Sequence, residues 1–413
     1  MPFAVPRPPN REVAVLAAVG FSVAVGFGIV APAIPLLARS FGVGDLAASA
    51  VISAFALMRL VSALGGGALV ERYGERVVLA VGIAVVAASS AAAGAAPSYP
   101  WLLGLRAVGG VGSAMFSISA LSLLLRSVPR ERRGAATGLF SGSFLVGGVL
   151  GPAIGGLVTD TSPRTPFFLY AGTLAVAGTI GLLALPHAPG RAAAGDEAPA
   201  VVEDPRTSLR EAIRLPAYRA ALAAYTAQTW SSLGLRSSVI PLFVTASATA
   251  GGLDRPARDV GLGLGLSAAL NLATLYPAGR FADRRGRRPV IRLGLAVITV
   301  SLLLLSAADS RLSFLLAMAV LGPGSGMLAV APAAVVGDVV TGRAGRAVAA
   351  YQMAGDLGSV VGPLVAGALA ESVSYPSAFL VTAAVSALAL VVQVGVPETR
   401  PRDGAAPVDP GPA

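Results

Sequence analysis

Twelve stretches of this chain run for roughly twenty to thirty residues with almost no charge: 12–38, 46–70, 76–96, 101–125, 134–159, 166–186, 217–247, 260–282, 289–308, 311–340, 345–370 and 375–396. As a helix, each is long enough to cross the roughly 30 Å hydrocarbon core of a bilayer. Lipid offers no partners to backbone N–H and C=O groups, so only helices or a closed barrel can span it. Continuous apolar runs, rather than strict alternation, select helices. The expected fold is therefore an all-α membrane protein with 12 transmembrane helices. Charged residues make up only 13% of the 413 residues, where a soluble protein carries about 25%.

Charge fixes the expected orientation. Of the 31 basic residues every one is arginine. With the N-terminus inside, five fall in external loops (Arg39, Arg164, Arg255, Arg258, Arg311), and Arg59, Arg106 and Arg236 fall within spans. The remaining arginines face the cytoplasm, as the positive-inside rule requires, which places both termini there. The net charge of +10 is thus an orientation signal rather than a nucleic-acid footprint, and no nucleic-acid partner is expected. The first apolar run is too long for a signal-peptide core and reads as an uncleaved helix.

The residue types exclude several chemistries. Without lysine there is no Walker-A phosphate loop and no Schiff-base chemistry. Without cysteine there are no disulfides, thiolate catalysis or Cys-based metal sites. The one histidine, His187, sits beside Pro186 at a helix end with no second ligand at metal spacing, and reads as a solvated loop residue. Neither G-x-S-x-G nor H-E-x-x-H occurs. No enzyme activity, metal or cofactor is expected.

Organisation is read from composition and repetition. Residues 1–11 form a cytoplasmic segment, 12–186 a first six-helix bundle, and 187–216, rich in Ala, Gly, Pro and charge, a cytoplasmic linker. Ser208 and Glu211 form a capping-box pattern before the seventh span. Residues 217–396 form the second bundle and 397–413 a disordered tail. The halves repeat. GALVERYGERVV (67–78) aligns with GRFADRRGRRPV (279–290) at an offset of 212, matching Gly67/Gly279, Glu71/Asp283, Arg72/Arg284, Gly74/Gly286 and Arg76/Arg288. A second block, after Arg132/Arg343 and Gly134/Gly345, pairs Gly147/Gly358, Gly151/Gly362, Pro152/Pro363 and Gly156/Gly367 at an offset of 211. Parallel six-helix repeats related by a pseudo-two-fold axis are one architecture of secondary transporters, with the site between halves at mid-membrane.

These motifs resemble those of the major facilitator superfamily. Gly279 to Arg288 is similar to the family's loop signature G-x-L-a-D-R-x-G-R-[RK], whereas the first copy carries Glu71 at the Asp position and Glu75 where a basic residue is usual. LLGLRAVGGVGSA resembles the R-x-x-x-G-x-G stretch of span four, and GGVLGPAIGG the G-x-x-x-G-P-x-x-G-G of span five in drug:proton antiporters. The resemblance implies a monomeric multi-pass protein of the bacterial plasma membrane that works by alternating access. It would export small amphiphilic molecules in exchange for protons. It also implies that spans two and eleven, and spans five and eight, face each other across the seam between halves.

Gly-x-x-x-Gly makes a flat helix face where another backbone approaches closely, and a proline adds a tolerated bend. Gly147, Gly151, Pro152, Gly155 and Gly156, with Gly358, Gly362 and Pro363, are therefore read either as a gate between halves or as simple helix packing. In the loops, Asp283 is expected to accept from Arg284 or Arg288 at a helix N-terminus and to latch one state; a plain positive-inside loop is the alternative.

A charge at the centre of a membrane helix costs about 2.5–3.5 kcal/mol on insertion scales, so intramembrane ionisable residues mark function. Arg59 and Asp356 both lie near mid-depth and are read as a pair that forms in one state and separates in another when Asp356 is protonated; a permanent strut is the alternative. Arg106 and Asp338 complete the coupling set, and the first half has no acid inside a span. A substrate cavity would draw on Arg106, Gln228, Trp230, Arg236, Asn271, Tyr276, Gln352 and Phe144. Three buried arginines against two acids leave room for neutral or anionic substrates as well as cations. A symporter or facilitator for one metabolite, and a sensor that binds without flux, stand as alternatives.

Overall fold

The computed structural model describes residues 11–128, 133–184, 209–339 and 345–399. Most of the expected linker, the tail beyond residue 399, and His187, Ser208, Arg132 and Arg343 lie outside the described residues. The first half consists of α1 (Arg11–Val30), α2 (Ala33–Arg39), α3 (Asp45–Tyr73), α4 (Glu75–Gly94), α5 (Tyr99–Arg126), α6 (Arg133–Thr161) and α7 (Thr165–Ala184). The second consists of α8 (Leu209–Arg214), α9 (Pro216–Thr229), α10 (Ile240–Thr245), α11 (Ala257–Arg285), α12 (Arg287–Ser306), α13 (Arg311–Val339), α14 (Gly345–Ser372) and α15 (Tyr375–Val392). By length and composition, eleven helices among the described residues can cross a membrane, counting α1 and α2 as one.

The expected seventh span is not one α-helix. Between α9 and α10 the chain runs as a π-helix, Trp230–Val239, so the segment 216–245 is interrupted rather than short. The i→i+5 winding widens the helix there, and such insertions favour functional sites. Gly234, inside it, lets the backbone of α14 approach: a Cβ on Gly234 would lie 2.9 Å from the Gly362 Cα.

In the first half α1 packs on α6 and α7, and α5 packs between α3 and α4. In the second half α13 packs between α11 and α12, and α14 packs on α9 and the π segment. Two seams join the halves, α3 against α14 and α6 against α11. The core is aliphatic and alanine-rich, with aromatic anchors such as Phe167, Tyr218, Phe314 and Phe379 fully buried.

The two copies of the loop signature turn the same corner. Gly74 (φ 81°) ends α3 and opens α4, and Gly286 (φ 108°) ends α11 and opens α12. A β-carbon is strained at such φ values, which is why glycine stands at both. The corners mark one end of the bundle, called the loop end below.

The glycine motif needs a correction. Gly147, Gly151 and Gly155 do not face the seam; they pack on α1 inside their own half. A Cβ on Gly151 would lie 2.6 Å from the Gly28 Cα, and one on Gly147 would lie 2.6 Å from the Phe21 carbonyl oxygen. Gly358 and Gly362 likewise pack on α9 and the π segment, against the Thr226 carbonyl and Trp230. One residue further round the helix the partner changes. Gly156 meets Gly261 of α11, where an added Cβ on Gly261 would stand 2.6 Å from the Gly156 Cα. Its repeat mate Gly367 meets α3, where an added Cβ would stand 2.7 Å from the Ser49 side chain and 2.8 Å from the Asp45 carbonyl oxygen. Adjacent helix positions differ by about 100° in direction, so one motif serves two interfaces.

Candidate functional site

Where the two halves meet in mid-bundle they line a cavity of about 200 Å³ that opens partly to solvent. α3 contributes Arg59 and Phe55, α5 contributes Arg106 and Phe116, α7 contributes Tyr170, and α14 contributes Asp356 and Ser359. Arg59, Arg106 and Asp356, singled out from sequence as intramembrane charges, thus line one space. Among the described residues no ion pair within 4.0 Å joins Arg59 or Arg106 to Asp356.

Arg106 is 2% exposed. Its guanidinium stacks over Phe55, 4.5 Å from the ring centroid. Its Nε and Nη1 have no hydrogen-bond partner among the described residues. Glycines next to it bring α3 and α5 together: a Cβ on Gly110 would stand 3.1 Å from the Arg59 backbone nitrogen.

A second cavity adjoins the first through shared walls at Phe27, Ala31, Phe144 and Ser237. It holds Arg236, Asn271 and Pro152, and the Asn271 Oδ1 is buried without a partner among the described residues. The π segment places Arg236 and Ser237 on this wall. Phe144, Arg236 and Asn271 of the expected cavity set therefore sit together.

The other candidates lie elsewhere. Asp338 stands at the loop end, 3.3 Å from Arg287 Nε and accepting from the Thr399 hydroxyl at 3.2 Å, and does not line either cavity. Tyr276 is 71% exposed, with its hydroxyl accepting from Arg280 at 3.1 Å. Gln352 is exposed and accepts from the Tyr225 hydroxyl at 3.2 Å. The Trp230 indole donates to Thr382 at 3.3 Å, turned toward α15. Gln228 is half-buried and lines neither cavity.

The loop signature is also wired differently from expectation. Asp283 pairs with Arg287 (2.6 Å), not with Arg284 or Arg288. The helix N-terminus is capped by Glu398, which accepts from the Arg287 and Arg288 backbone N–H groups at 2.7 and 3.2 Å. The start of the expected tail is thus tied down, because Gly286 at the α12 N-cap has no side chain to do the work. In the first copy Arg76 donates to the Leu182 carbonyl, Arg72 lies over the Tyr73 ring, and Glu75 pairs with Arg126. Gly67, Glu71 and Gly279 sit on the last turns of α3 and α11. These ion pairs each stay within one half.

Bonds between halves lie away from the loop end. The Ser53 hydroxyl of α3 donates to the Val360 carbonyl of α14 at 2.7 Å. At the opposite end Glu371 of α14 accepts from the Leu46 N–H at 2.8 Å. α3 opens on Gly44, which has no capping side chain, so the other half supplies the carboxylate. Glu371 was missed in the sequence because its partner is 325 residues away.

Solved structures of similar shape are transporters. One, a bacterial homolog to the human lysosomal transporter Spinster in an inward-facing and unoccupied conformation, has a TM-score of 0.74 at 14% identity, with 94% of this chain and 97% of that one covered. A point mutant of the nucleoside transporter NupG has a TM-score of 0.70 at 12% identity, covering 93% and 99%. Among curated proteins, the multi-drug resistance efflux pump PmrA homolog of Lactococcus lactis is 26% identical over 372 residues, 88% of this chain and 89% of its own. Multidrug resistance protein 1 of Bacillus subtilis is 24% identical over 374 residues, covering 89% and 92%. The quinolone resistance protein NorA of Staphylococcus aureus is 26% identical over 180 residues, 44% of this chain and 46% of its own. The family profile of the Major Facilitator Superfamily matches residues 16–253 and 228–411, and with a charged cavity between two packed helical halves the chain belongs to that superfamily: it is a multi-pass membrane transporter, not an enzyme.

Proposed function

We propose that this transporter exports small amphiphilic compounds across the bacterial plasma membrane in exchange for protons, by alternating access between two six-helix halves with both termini in the cytoplasm. The segment 216–245, with its π-helical stretch, is the twelfth crossing in this reading, and the halves are related by the pseudo-two-fold axis that the repeated motifs imply. The observation that carries the proposal is the shared cavity: one ionisable acid, Asp356 on the second half, faces Arg59 and Arg106 on the first, across the surface that must part. Efflux relatives that cover most of the chain support the direction.

With the loop end cytoplasmic in this reading, the cross-half bonds at Leu46–Glu371 and Ser53–Val360 lie toward the outside, which supports an inward-open state in the alternating-access cycle. Proton loading of Asp356 would remove its attraction for Arg59 and favour rocking of the halves. The lack of an acid inside the first half's spans favours one reading besides antiport, a symporter or facilitator in which Asp356 acts alone.

Everted vesicles acidified inside by respiration test the proposal. Addition of lipophilic cations, neutral antibiotics and organic anions should trigger proton release for at least one class, and Asp356→Asn vesicles should stay silent. Substrate-driven proton movement of the opposite sign would establish symport instead, and pH-driven transport intact in Asp356→Asn would remove Asp356 from coupling.

A further inference from the structure

The Arg106 guanidinium carries a charge that proteins do not remove, is nearly inaccessible, and has no carboxylate beside it among the described residues. Such a group is costly in a membrane protein unless something offsets it. Phe55 stacks on one face of it, which fixes the plane, and the residue lines the cavity wall. A planar guanidinium with unpaired N–H groups is suited to a carboxylate, which it takes by charge-assisted hydrogen bonds.

The surrounding charge points the same way. The two adjoining cavities hold three guanidiniums, Arg59, Arg106 and Arg236, against one carboxylate, Asp356. The rest of the wall near Arg106 is apolar and aromatic, with Phe27 and Phe116 opposite a few hydroxyls. We infer that the cavity recognises an aromatic or otherwise apolar monocarboxylate, its carboxylate held by Arg106 and its apolar body lying among Phe27, Phe55 and Phe116. This rests on the transport reading above and names the class of compound that the same site would carry.

The test uses the full chain in proteoliposomes with three probes of one shape, 2-naphthoate, 2-naphthamide and 2-naphthylmethylammonium. Binding is measured by equilibrium dialysis and movement by counterflow. Wild type should bind the carboxylate about ten-fold or more tightly than either analogue, the size of one charge-assisted hydrogen-bond pair. Arg106→Gln should erase that preference. Arg106→Lys, which keeps the charge but not the planar fork, should retain only part of it. Thermal melts in detergent identify folded variants, and if Arg106→Gln fails to fold, the Arg106→Lys preference decides. Equal or stronger binding of the ammonium probe by wild type, or a carboxylate preference that survives in folded Arg106→Gln, would overturn the site. Movement of the amide or ammonium without carboxylate preference overturns the site while the transport reading stands. Carboxylate preference without movement of any probe supports the site and overturns transport.

Discussion

The two seams between the halves solve one problem in opposite ways. At α6–α11 the contact is backbone on backbone: Gly156 lies on Gly261, and Gly265 faces Ala153. At α3–α14 it is polar: Ser53 reaches the Val360 carbonyl, Glu371 caps Leu46, and Gly367 packs on the Ser49 side chain and the Asp45 carbonyl. Two glycine faces slide or part without breaking directional bonds. A carboxylate on a foreign helix N-terminus is a bond that holds in one state and breaks in another. The chain thus pairs a smooth surface with a latch, and the one acid of the cavity, Asp356, sits on the latch side.

The sharpest way to break this contrast is Gly156→Val. An added side chain there meets the backbone of α11, which cannot rotate aside, and overpacking of this kind costs about 1–3 kcal/mol. Vesicle flux should fall ten-fold or more while the protein still inserts; wild-type flux would show that α6 and α11 need not close. Asp356→Asn should come next, abolishing the pH dependence of flux but leaving downhill exchange of substrate measurable. Loss of both alike would make the residue structural.

Glu371→Ala tests the latch itself. Removing an exposed cap should cost the sealed state about 1 kcal/mol, a factor of roughly five in population. Distances between spin labels on introduced cysteines, simple in a chain with none of its own, should lengthen at that end. An unchanged distribution would mean that the cap does not bias the halves. Ser53→Ala should have the smallest effect, about 0.5 kcal/mol, since a lone serine hydroxyl can be replaced by water as the cavity opens. A shift larger than that of Glu371→Ala would reverse the ranking of the two bonds.

Much of this was legible in the residues alone. Run length picked out the segments that form the eleven spanning helices among the described residues, and the offset of 212 paired the corner glycines Gly74 and Gly286. Arg59, Arg106 and Asp356 stood out because charge is rare in such runs, and the structure places all three on one cavity. The failures have a common origin. Asp338 was grouped with them as an acid within a span, yet it belongs to Arg287 and Thr399, residues of other segments. Glu371 and Glu398 carried no local signal, since each serves a helix whose own N-cap is glycine. Phe27, Phe55 and Tyr170 of the cavity wall carry no local signal that separates them from core aromatics.

By itself the sequence determined that this chain lives in a bilayer, how many apolar segments it has, where the corner glycines fall and which intramembrane charges demand use. These follow from solvent transfer and from φ > 0, which act residue by residue. Only the tertiary structure decided that Gly147, Gly151 and Gly155 serve α1 while Gly156 serves α11, that the segment 216–245 widens into a π-helix at Arg236, and that Arg106 lines a cavity with its Nε and Nη1 unpaired among the described residues. Those outcomes depend on which helix lies alongside, and neighbouring helix positions that point about 100° apart meet different neighbours although their local sequence is the same.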